Sequence, residues 1–318
     1  MTGSIRAVLL ALVALNVALA YIAFFGGKTR VFATGGEDFE LLDLYISKME
    51  AEKFHEMQEQ MSVTYRPLRD ELNKTIAAKK GEYGIYFEDL TTGVWVGINE
   101  KKEFVPASLF KMPIVIAMAK KIENGELRLN DKITLTESDI ERNFVSGSLS
   151  SFGTGYSLTV SDALEYVIEE SDNTALNALA RQLNYGELIE AYVATGLPLP
   201  KFTERIDDNL VSPKRYMGIF RSLYFSTYLR RTYSQLVLSM LVEADFDSAL
   251  PSGVPDGVKT ANKVGFFNVE DGNFHDCGIV YAPKKPYMLC IMSIGTTQAS
   301  FNAVASNISR TVYEFVVK

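Results

Sequence analysis

The sequence predicts an α+β protein with three layers, in which helices flank an antiparallel sheet of about five strands. Two strand-like runs lie early in the compact part of the chain, at 83–89 and 94–98, and three more lie late, at 259–267, 274–282 and 287–294. Helical patterns dominate between the two groups. One sheet is therefore expected to form from both ends of the domain, with an all-helical lobe packed against it.

Size, charge and composition exclude several classes of protein. The chain has 318 residues, of which 47% are hydrophobic, enough for one large domain or two small ones. Its formal net charge of −7 argues against a nucleic-acid partner. Two histidines and two cysteines are too few for a zinc hydrolase cluster, so no metal or cofactor is expected.

The N-terminus carries an uncharged apolar run over residues 7–25, with Arg6 before it. This length spans a bilayer, and we expect a signal anchor within residues 1–30. Ala18-Leu19-Ala20 resembles a cleavage site, so a cleaved export signal is the alternative. The anchor is favoured because apolar residues continue to Phe25. Both interpretations place the rest of the chain outside the cytoplasm.

Residues 31–64 have the pattern of a helical stalk. Phe39, Leu42, Ile46 and Met49 follow a 3-4-3 spacing, with charged residues around them. Such an amphipathic helix could pair with a second copy of the chain, although a solvated spacer helix is the favoured interpretation. A catalytic domain is then expected over residues 65–318.

The elements of this domain follow from local signals. Pro67 suits the first turn of a helix that ends near Lys79, before Gly81. Thr91-Thr92-Gly93 joins the first two strands as a hairpin. A stretch rich in serine and glycine, 146–156, interrupts the helical lobe. Further helices are expected at 108–122, 174–183, 216–229, 232–243 and 301–315.

Ser108 and Lys111 open one of these helices, three residues apart, and therefore lie on one face. A serine at a helix N-terminus lies where free N–H groups stabilise developing negative charge. A neutral lysine beside it can accept the hydroxyl proton. With His55 in the stalk and only His275 elsewhere, lysine is the natural base for a serine enzyme of this composition.

Two further short motifs follow in order along the chain. Ser171-Asp172-Asn173 precedes the helix at 174–183, and Lys263-Val264-Gly265 lies in a late strand. S-x-x-K, S-D-N and K-T-G together are the signature of class A β-lactamases and penicillin-binding proteins. The sequence strongly resembles that family over residues 65–318. The resemblance implies a bacterial enzyme whose acyl-serine intermediate forms outside the cytoplasm.

The resemblance also implies a role for each matching position. Ser108 would be the nucleophile and Lys111 its base, and Ser171 would relay a proton to the leaving nitrogen. The backbone N–H groups of Ser108 and Phe266 would form the oxyanion hole. The substrate would contact three positions: Asn173, Lys263 and Gly265. The competing interpretation takes Ser171 as a helix N-cap and Lys263 as a solvated strand residue. Three motifs in order outweigh it.

The sequence departs from the family pattern in two places. The third motif has Val264 where the family usually has a hydroxyl that helps to seat a substrate carboxylate. The E-x-x-L-N glutamate that activates the deacylating water in class A β-lactamases is missing from a shortened loop. Three acids in that loop could replace it: Glu204, Asp207 and Asp208. We hypothesise that acylation is intact and that deacylation is slow or uses a different base.

Three functions fit these features. The leading one is a β-lactamase-like hydrolase that opens β-lactam amides. The first alternative is a D,D-carboxypeptidase or related penicillin-binding protein acting on D-Ala-D-Ala peptides, which the missing glutamate favours. The second is a weakly catalytic receptor or scaffold that signals through the stalk.

Cys277 and Cys290 lie at equal distances from the turn at 282–285, and a regular hairpin would place them opposite one another. A disulfide is possible in an exported domain. Directly opposed cysteines rarely meet the required geometry, so two buried thiols are the favoured expectation.

Overall fold

A computed structural model describes residues 48–144, 146–201, 209–244, 246–267 and 272–318, with side chains from residue 63 onward. The predicted anchor and the stalk up to residue 47 lie outside the described residues. Within the described ranges, no helix is both long enough and apolar enough to cross a bilayer. The compact unit Glu56–Lys318 contains the sheet, the helical lobe and the candidate site described below.

The described part of the chain forms seven strands: β1 (Glu82–Asp89), β2 (Trp95–Ile98), β3 (Lys132–Thr134), β4 (Ser157–Thr159), β5 (Thr260–Phe267), β6 (Gly272–Val280) and β7 (Tyr287–Thr296). Five of them make one antiparallel sheet in the order β2-β1-β7-β6-β5. Because β1 pairs along its whole length with β7, the early and late parts of the domain meet at the centre of the sheet. The predicted fold class, a five-stranded sheet with flanking helices, is confirmed.

The described residues also form eight helices: α1 (Lys48–Ala77), α2 (Lys111–Glu123), α3 (Val160–Glu169), α4 (Asn173–Ala180), α5 (Tyr185–Thr195), α6 (Pro213–Tyr224), α7 (Arg231–Val242) and α8 (Gln298–Val317). Single 3₁₀ turns at Ala107–Phe110, Leu149–Phe152 and Pro251–Gly253 connect some of them.

Hydrophobic side chains fill both faces of the sheet. On one face, α1 and α8 cover a cluster that includes Leu72, Ile85 and Leu289. On the other face, the helical lobe covers a cluster that includes Met112, Ile168 and Met292. Helix α2 is apolar on nearly all sides because the lobe surrounds it, as expected for a central buried helix.

One local prediction was wrong, and two features were not predicted. Pro67 lies inside α1, which begins at Lys48, rather than in a first turn. Because proline has no N–H group, Val63 O receives no helical hydrogen bond from Pro67. Val63 is 56% exposed, so water can donate to this oxygen instead. The short pair β3–β4 was not predicted, nor was α5, although Asn184 and Glu187 form a capping box at its start.

Cys277 and Cys290 form a disulfide between β6 and β7, so the expectation of two thiols was wrong. The two residues are direct ladder partners, and their Cα atoms are 3.9 Å apart. This separation is even shorter than that of an ordinary closely spaced antiparallel pair. The strand register alone therefore brings the two sulfur atoms within bonding reach.

Candidate active site

Ser108 lies in the 3₁₀ turn Ala107–Phe110, which leads directly into α2. The residue before it, Ala107, has a φ of 49°, in the left-handed region that non-glycine residues avoid. Such backbone strain is found mainly at functional sites. Ser108 itself is half-buried, so the residue retains access to the surface.

Lys111 is the first residue of α2 and is fully buried. Its Nζ donates to Ser171 Oγ at 3.1 Å and also to the carbonyl oxygen of Ser171. Burial lowers the pKa of Lys111 to about 8, and the nearby charge of Asp172 opposes part of that shift. The structure therefore joins the first two motifs through this amine, which is easier to deprotonate than an ordinary lysine.

The Ser171-Asp172-Asn173 motif is held in place by burial and by hydrogen bonds to its neighbours. Ser171 is buried and has a φ of 56°, again in the left-handed region. Asp172, not Ser171, is the N-cap of α4, and its carboxylate accepts 2.8 Å bonds from the Ala175 and Leu149 N–H groups. The interpretation of Ser171 as a cap is therefore wrong. Asn173 donates through Nδ2 to Phe144 O at 2.5 Å.

Lys263 on β5 belongs to the same buried region. Its side chain is 0% exposed, so the interpretation as a solvated strand residue is wrong. Its Nζ donates to Ile168 O at 3.2 Å and lies 4.9 Å from the ring centroid of Phe246. Burial lowers its pKa well below the usual range, and repulsion from Lys111 adds to this, while Asp276 opposes it.

Gly265 brings β5 against the Ser108 turn. A Cβ added there would lie 2.9 Å from Pro106 O and 3.1 Å from Leu109 Cγ, so a side chain would push the two segments apart. Phe266 follows on β5, the edge strand of the sheet, where alternate backbone groups have no ladder partner. The structure thus brings the third motif next to the turn that carries Ser108.

Two buried side chains that the sequence analysis did not single out brace this turn. His275 on β6 donates from Nε2 to Val105 O at 2.7 Å and accepts at Nδ1 from Ser293 N–H. Burial lowers the pKa of His275 to about 4, so the ring is neutral at physiological pH. The Tyr216 hydroxyl on α6 donates to Leu109 O at 3.1 Å. No local sequence signal identifies either contact.

The three candidate deacylation acids, Glu204, Asp207 and Asp208, lie outside the described residues. The residues on either side of them are described. The Asn209 side chain bonds to both the N–H and the carbonyl of Lys201, at 2.6 and 3.0 Å. Val211 forms a two-way backbone bridge with Phe104, four residues before Ser108. The chain that follows the acids therefore pairs with the backbone just before the nucleophile turn.

The described residues contain no group of three or more histidine, cysteine, aspartate or glutamate side chains placed to hold a metal ion.

Comparison with known proteins agrees with this architecture. The sequence model of the beta-lactamase enzyme family matches residues 67–316. The extended-spectrum beta-lactamase PER-1 of Pseudomonas aeruginosa is 22% identical over 273 residues, which cover 79% of this chain and 88% of that protein. The structure of PBP-A has a TM-score of 0.70 at 21% identity, over 78% of this chain and 95% of that one.

A mutant of PBP-A in an acyl-enzyme complex with penicillin G also has a TM-score of 0.70, at 22% identity, with coverage of 78% and 95%. The fold, the three motifs and the family match together define the class of protein. The chain belongs to the beta-lactamase enzyme family. It is a serine hydrolase of the β-lactamase type.

Proposed function

We propose that this protein opens β-lactam amides through an acyl-enzyme on Ser108. The observation that carries the proposal is the buried Lys111 amine, one helical turn from Ser108 and bonded to Ser171. In the first step, Ser108 Oγ bonds to the β-lactam carbonyl carbon and its proton passes to neutral Lys111 Nζ. The C–N bond then breaks, and the proton reaches the leaving nitrogen by way of Ser171 Oγ.

The oxyanion formed on the way needs donors that are already in place. The Ser108 N–H lies in the 3₁₀ turn at the start of α2, and Phe266 follows the close approach of Gly265 to that turn. These two N–H groups are our candidates for the oxyanion hole. A donor of this kind typically contributes about 3–4 kcal/mol to the stability of the transition state.

Substrate binding is assigned to Asn173, Lys263 and Gly265. Asn173 would hold the amide side chain of the substrate, and its own side chain is already oriented by Phe144 O. The family resemblance assigns Lys263 to the position of a substrate carboxylate, and Gly265 would contact the substrate through its backbone on the edge strand. Because Val264 supplies no hydroxyl, the grip on a carboxylate should be weaker than the family pattern implies.

Deacylation is proposed to be slow, or to use an acid other than the usual glutamate. Glu204, Asp207 and Asp208 are the candidates, since Val211, three residues after Asp208, pairs with Phe104, four residues before Ser108. Each would act by removing a proton from the water that attacks the Ser108 ester.

We place the enzyme at a bacterial membrane, anchored through residues 7–25, with its catalytic domain outside the cytoplasm. The apolar N-terminal run supports this placement, as does the Cys277–Cys290 disulfide, because disulfides persist in oxidising compartments. Self-association through the stalk would follow from its amphipathic pattern.

A second candidate function is a penicillin-binding protein that acts on D-Ala-D-Ala peptides. The missing E-x-x-L-N glutamate favours it, because without efficient water activation the acyl-enzyme persists. The similarity of fold to PBP-A is compatible with it. The same Ser108, Lys111 and Ser171 would carry out the acylation.

A fluorescent penicillin tests both functions on the purified protein, with Ser108→Ala as the control. Labelling that requires Ser108 and fades as hydrolysed product accumulates supports the hydrolase. Labelling that requires Ser108 and persists supports the penicillin-binding protein. If labelling is absent, or survives in Ser108→Ala, the proposed acyl-enzyme is wrong. Turnover of a chromogenic cephalosporin many times per second would refute slow deacylation.

A further inference from the structure

The amine of Lys263 is covered by an aromatic ring. Phe246 lies in the segment after α7, and its ring centroid is 4.9 Å from Lys263 Nζ. The same ring lies 6.4 Å from the ring of Phe266, which is 37% exposed at the edge of the site. The amine has three N–H donors, one of which goes to Ile168 O. An approaching substrate group must therefore compete with the Phe246 ring for the space beside this amine.

The Phe246 ring also determines which charges are favoured beside the Lys263 amine. The face of an aromatic ring carries partial negative charge, so it attracts an ammonium group and repels a carboxylate. A substrate carboxylate beside Lys263 would have to displace the ring or accept its negative face as a neighbour. The ring face does not repel an uncharged or apolar group, which can pack against it.

The residues next to Lys263 on the sheet do little to offset the repulsion between the Phe246 ring and a substrate carboxylate. Val264 carries methyl groups instead of a hydroxyl donor, and Lys263 is the only lysine or arginine in the described strands β5 and β6. Among the described residues, the other cation within electrostatic range of it is Lys111 on α2, whose amine is bonded to Ser171. Asp276, the ladder partner of Val264, adds a carboxyl group within electrostatic range of Lys263. That carboxyl group is itself buried and accepts 2.9 Å bonds from Leu250 N–H and Asn262 Nδ2.

We infer that Phe246 is a specificity-determining residue. It makes the site favour acyl donors that place an uncharged group beside Lys263 over acyl donors that place a free carboxylate there. The substrate class is thus β-lactams and related acyl donors that are esterified, amidated or apolar at this position. The inference rests on the proposed acylation of Ser108.

The test compares benzylpenicillin with its neutral methyl ester. The second-order rate constant for acylation of Ser108 is measured by intact mass for the wild type, for Phe246→Ala and for Phe225→Ala. Phe225 is an exposed phenylalanine at the end of α6 and serves as the matched control. Melting temperatures of all three proteins confirm that they are folded.

In the wild type, we expect the ester to acylate Ser108 at least as fast as the free acid. Phe246→Ala should raise the rate with the acid about tenfold and change the rate with the ester by less than about threefold, in line with a lost ring–charge contact. Phe225→Ala should change neither rate.

Two results would overturn the inference. If both compounds acylate Ser108 but Phe246→Ala leaves the ratio of their rates unchanged, Phe246 does not determine specificity, and the proposed function stands. If neither compound acylates Ser108 in any of the three proteins, the proposed function fails, and the inference that depends on it fails as well.

Discussion

Lys111 shows how position alone can convert a cationic side chain into a base. Its amine is removed from water, which penalises the protonated form and lowers its pKa to about 8. The hydrogen bond to Ser171 fixes the amine near the middle of the site. A half-buried lysine on the same helix, Lys121, has its pKa raised by its bond to Glu187 and could not serve in this way.

The acylation rate should therefore depend on pH through Lys111. Only the neutral amine accepts the Ser108 proton, so the rate of acylation should rise about tenfold per pH unit below about 8 and level off above it. The measurement is the second-order rate constant for acylation by the penicillin methyl ester, from about pH 6 to 9. Because this probe has no charge, its own ionisation cannot contribute.

Lys111→Arg provides the control, because arginine keeps the positive charge but cannot lose a proton in this range. We expect this variant to be acylated at least about a hundredfold more slowly than the wild type, in line with the loss of a general base. A wild-type rate that is flat, or that falls as the pH rises, would contradict Lys111 as the base.

The sequence is sufficient to identify site residues that lie within short motifs. Ser108, Lys111, Ser171 and Lys263 were predicted because residue type and spacing mark them, and the structure brings Lys111 into contact with Ser171. His275, Tyr216 and Phe246 were not predicted. His275 and Tyr216 contact residues more than 100 positions away in the sequence, and Phe246 lies in an irregular segment. No local sequence pattern indicates such contacts.

At the scale of elements, strand β5 approaches the Ser108 turn closely at Gly265. Gly265→Ala should push them apart, because its Cβ would meet the backbone at Pro106 O. We expect acylation to fall at least about a hundredfold, since catalysis depends on sub-ångström placement. The free energy of unfolding should fall by about 1–3 kcal/mol. Rates are measured with benzylpenicillin and stability with urea.

Gly97→Ala is the matched control, because Gly97 is also a strand glycine but the atoms nearest its new Cβ belong to the flexible Glu100 side chain rather than to backbone. Its acylation rate should remain within about threefold of the wild type. Equal rates for the two alanine variants would show that the tight contact at Gly265 has no role in catalysis.

His275 links the sheet to the same turn, and its burial should make stability depend on pH. Its pKa is about 4 in the folded state and near 6.5 when unfolded, so the unfolded chain gains a proton first as the pH falls. The stability contribution is fully present above pH 6.5 and is lost between pH 6.5 and 4. Between pH 7 and 4.5, the wild type should lose about 2–3 kcal/mol more than His275→Gln.

Asp276 acts in the opposite direction, because burial raises its pKa from 3.8 to about 7 and its protonation on acidification favours the folded state. Both proteins contain Asp276, so its effect cancels in the comparison. The measurement is urea unfolding at the two pH values. The same pH dependence in both proteins would contradict a buried, neutral His275.

The secondary structure was predicted well where the pattern was long and regular. All five strands of the main sheet were predicted to within a few residues of their observed ends. The differences from the prediction have physical causes. Helix α1 continues through Pro67 because Val63, whose carbonyl loses a bond there, is exposed to water. Strands β3 and β4 have three residues each, which is too short for a periodic signal. Helix α5 was missed although its capping box was present in the sequence.

In the whole molecule, the central sheet joins the early strands to the late ones, and the disulfide joins two of the late ones. Cys277 and Cys290 are separated by 13 residues, and closing a loop of about this size stabilises a protein by roughly 3 kcal/mol. Reduction should therefore lower the melting temperature by at least about 5 °C.

The control is alkylation of the unfolded, unreduced protein, followed by intact mass. We expect no alkylated cysteine before reduction and two after it. Two alkylated cysteines without reduction would show that the disulfide does not form, and would remove one support for an oxidising compartment.

The whole account depends on a covalent bond between substrate and Ser108, and peptide-mapped mass spectrometry tests it most directly. Opening a β-lactam ring expels no fragment, so the protein should gain the full mass of benzylpenicillin. The account predicts that the adduct lies on the peptide containing Ser108, is absent in Ser108→Ala and forms at least about a hundredfold more slowly in Lys111→Ala. An adduct on any other residue, or an adduct that persists in Ser108→Ala, would contradict it.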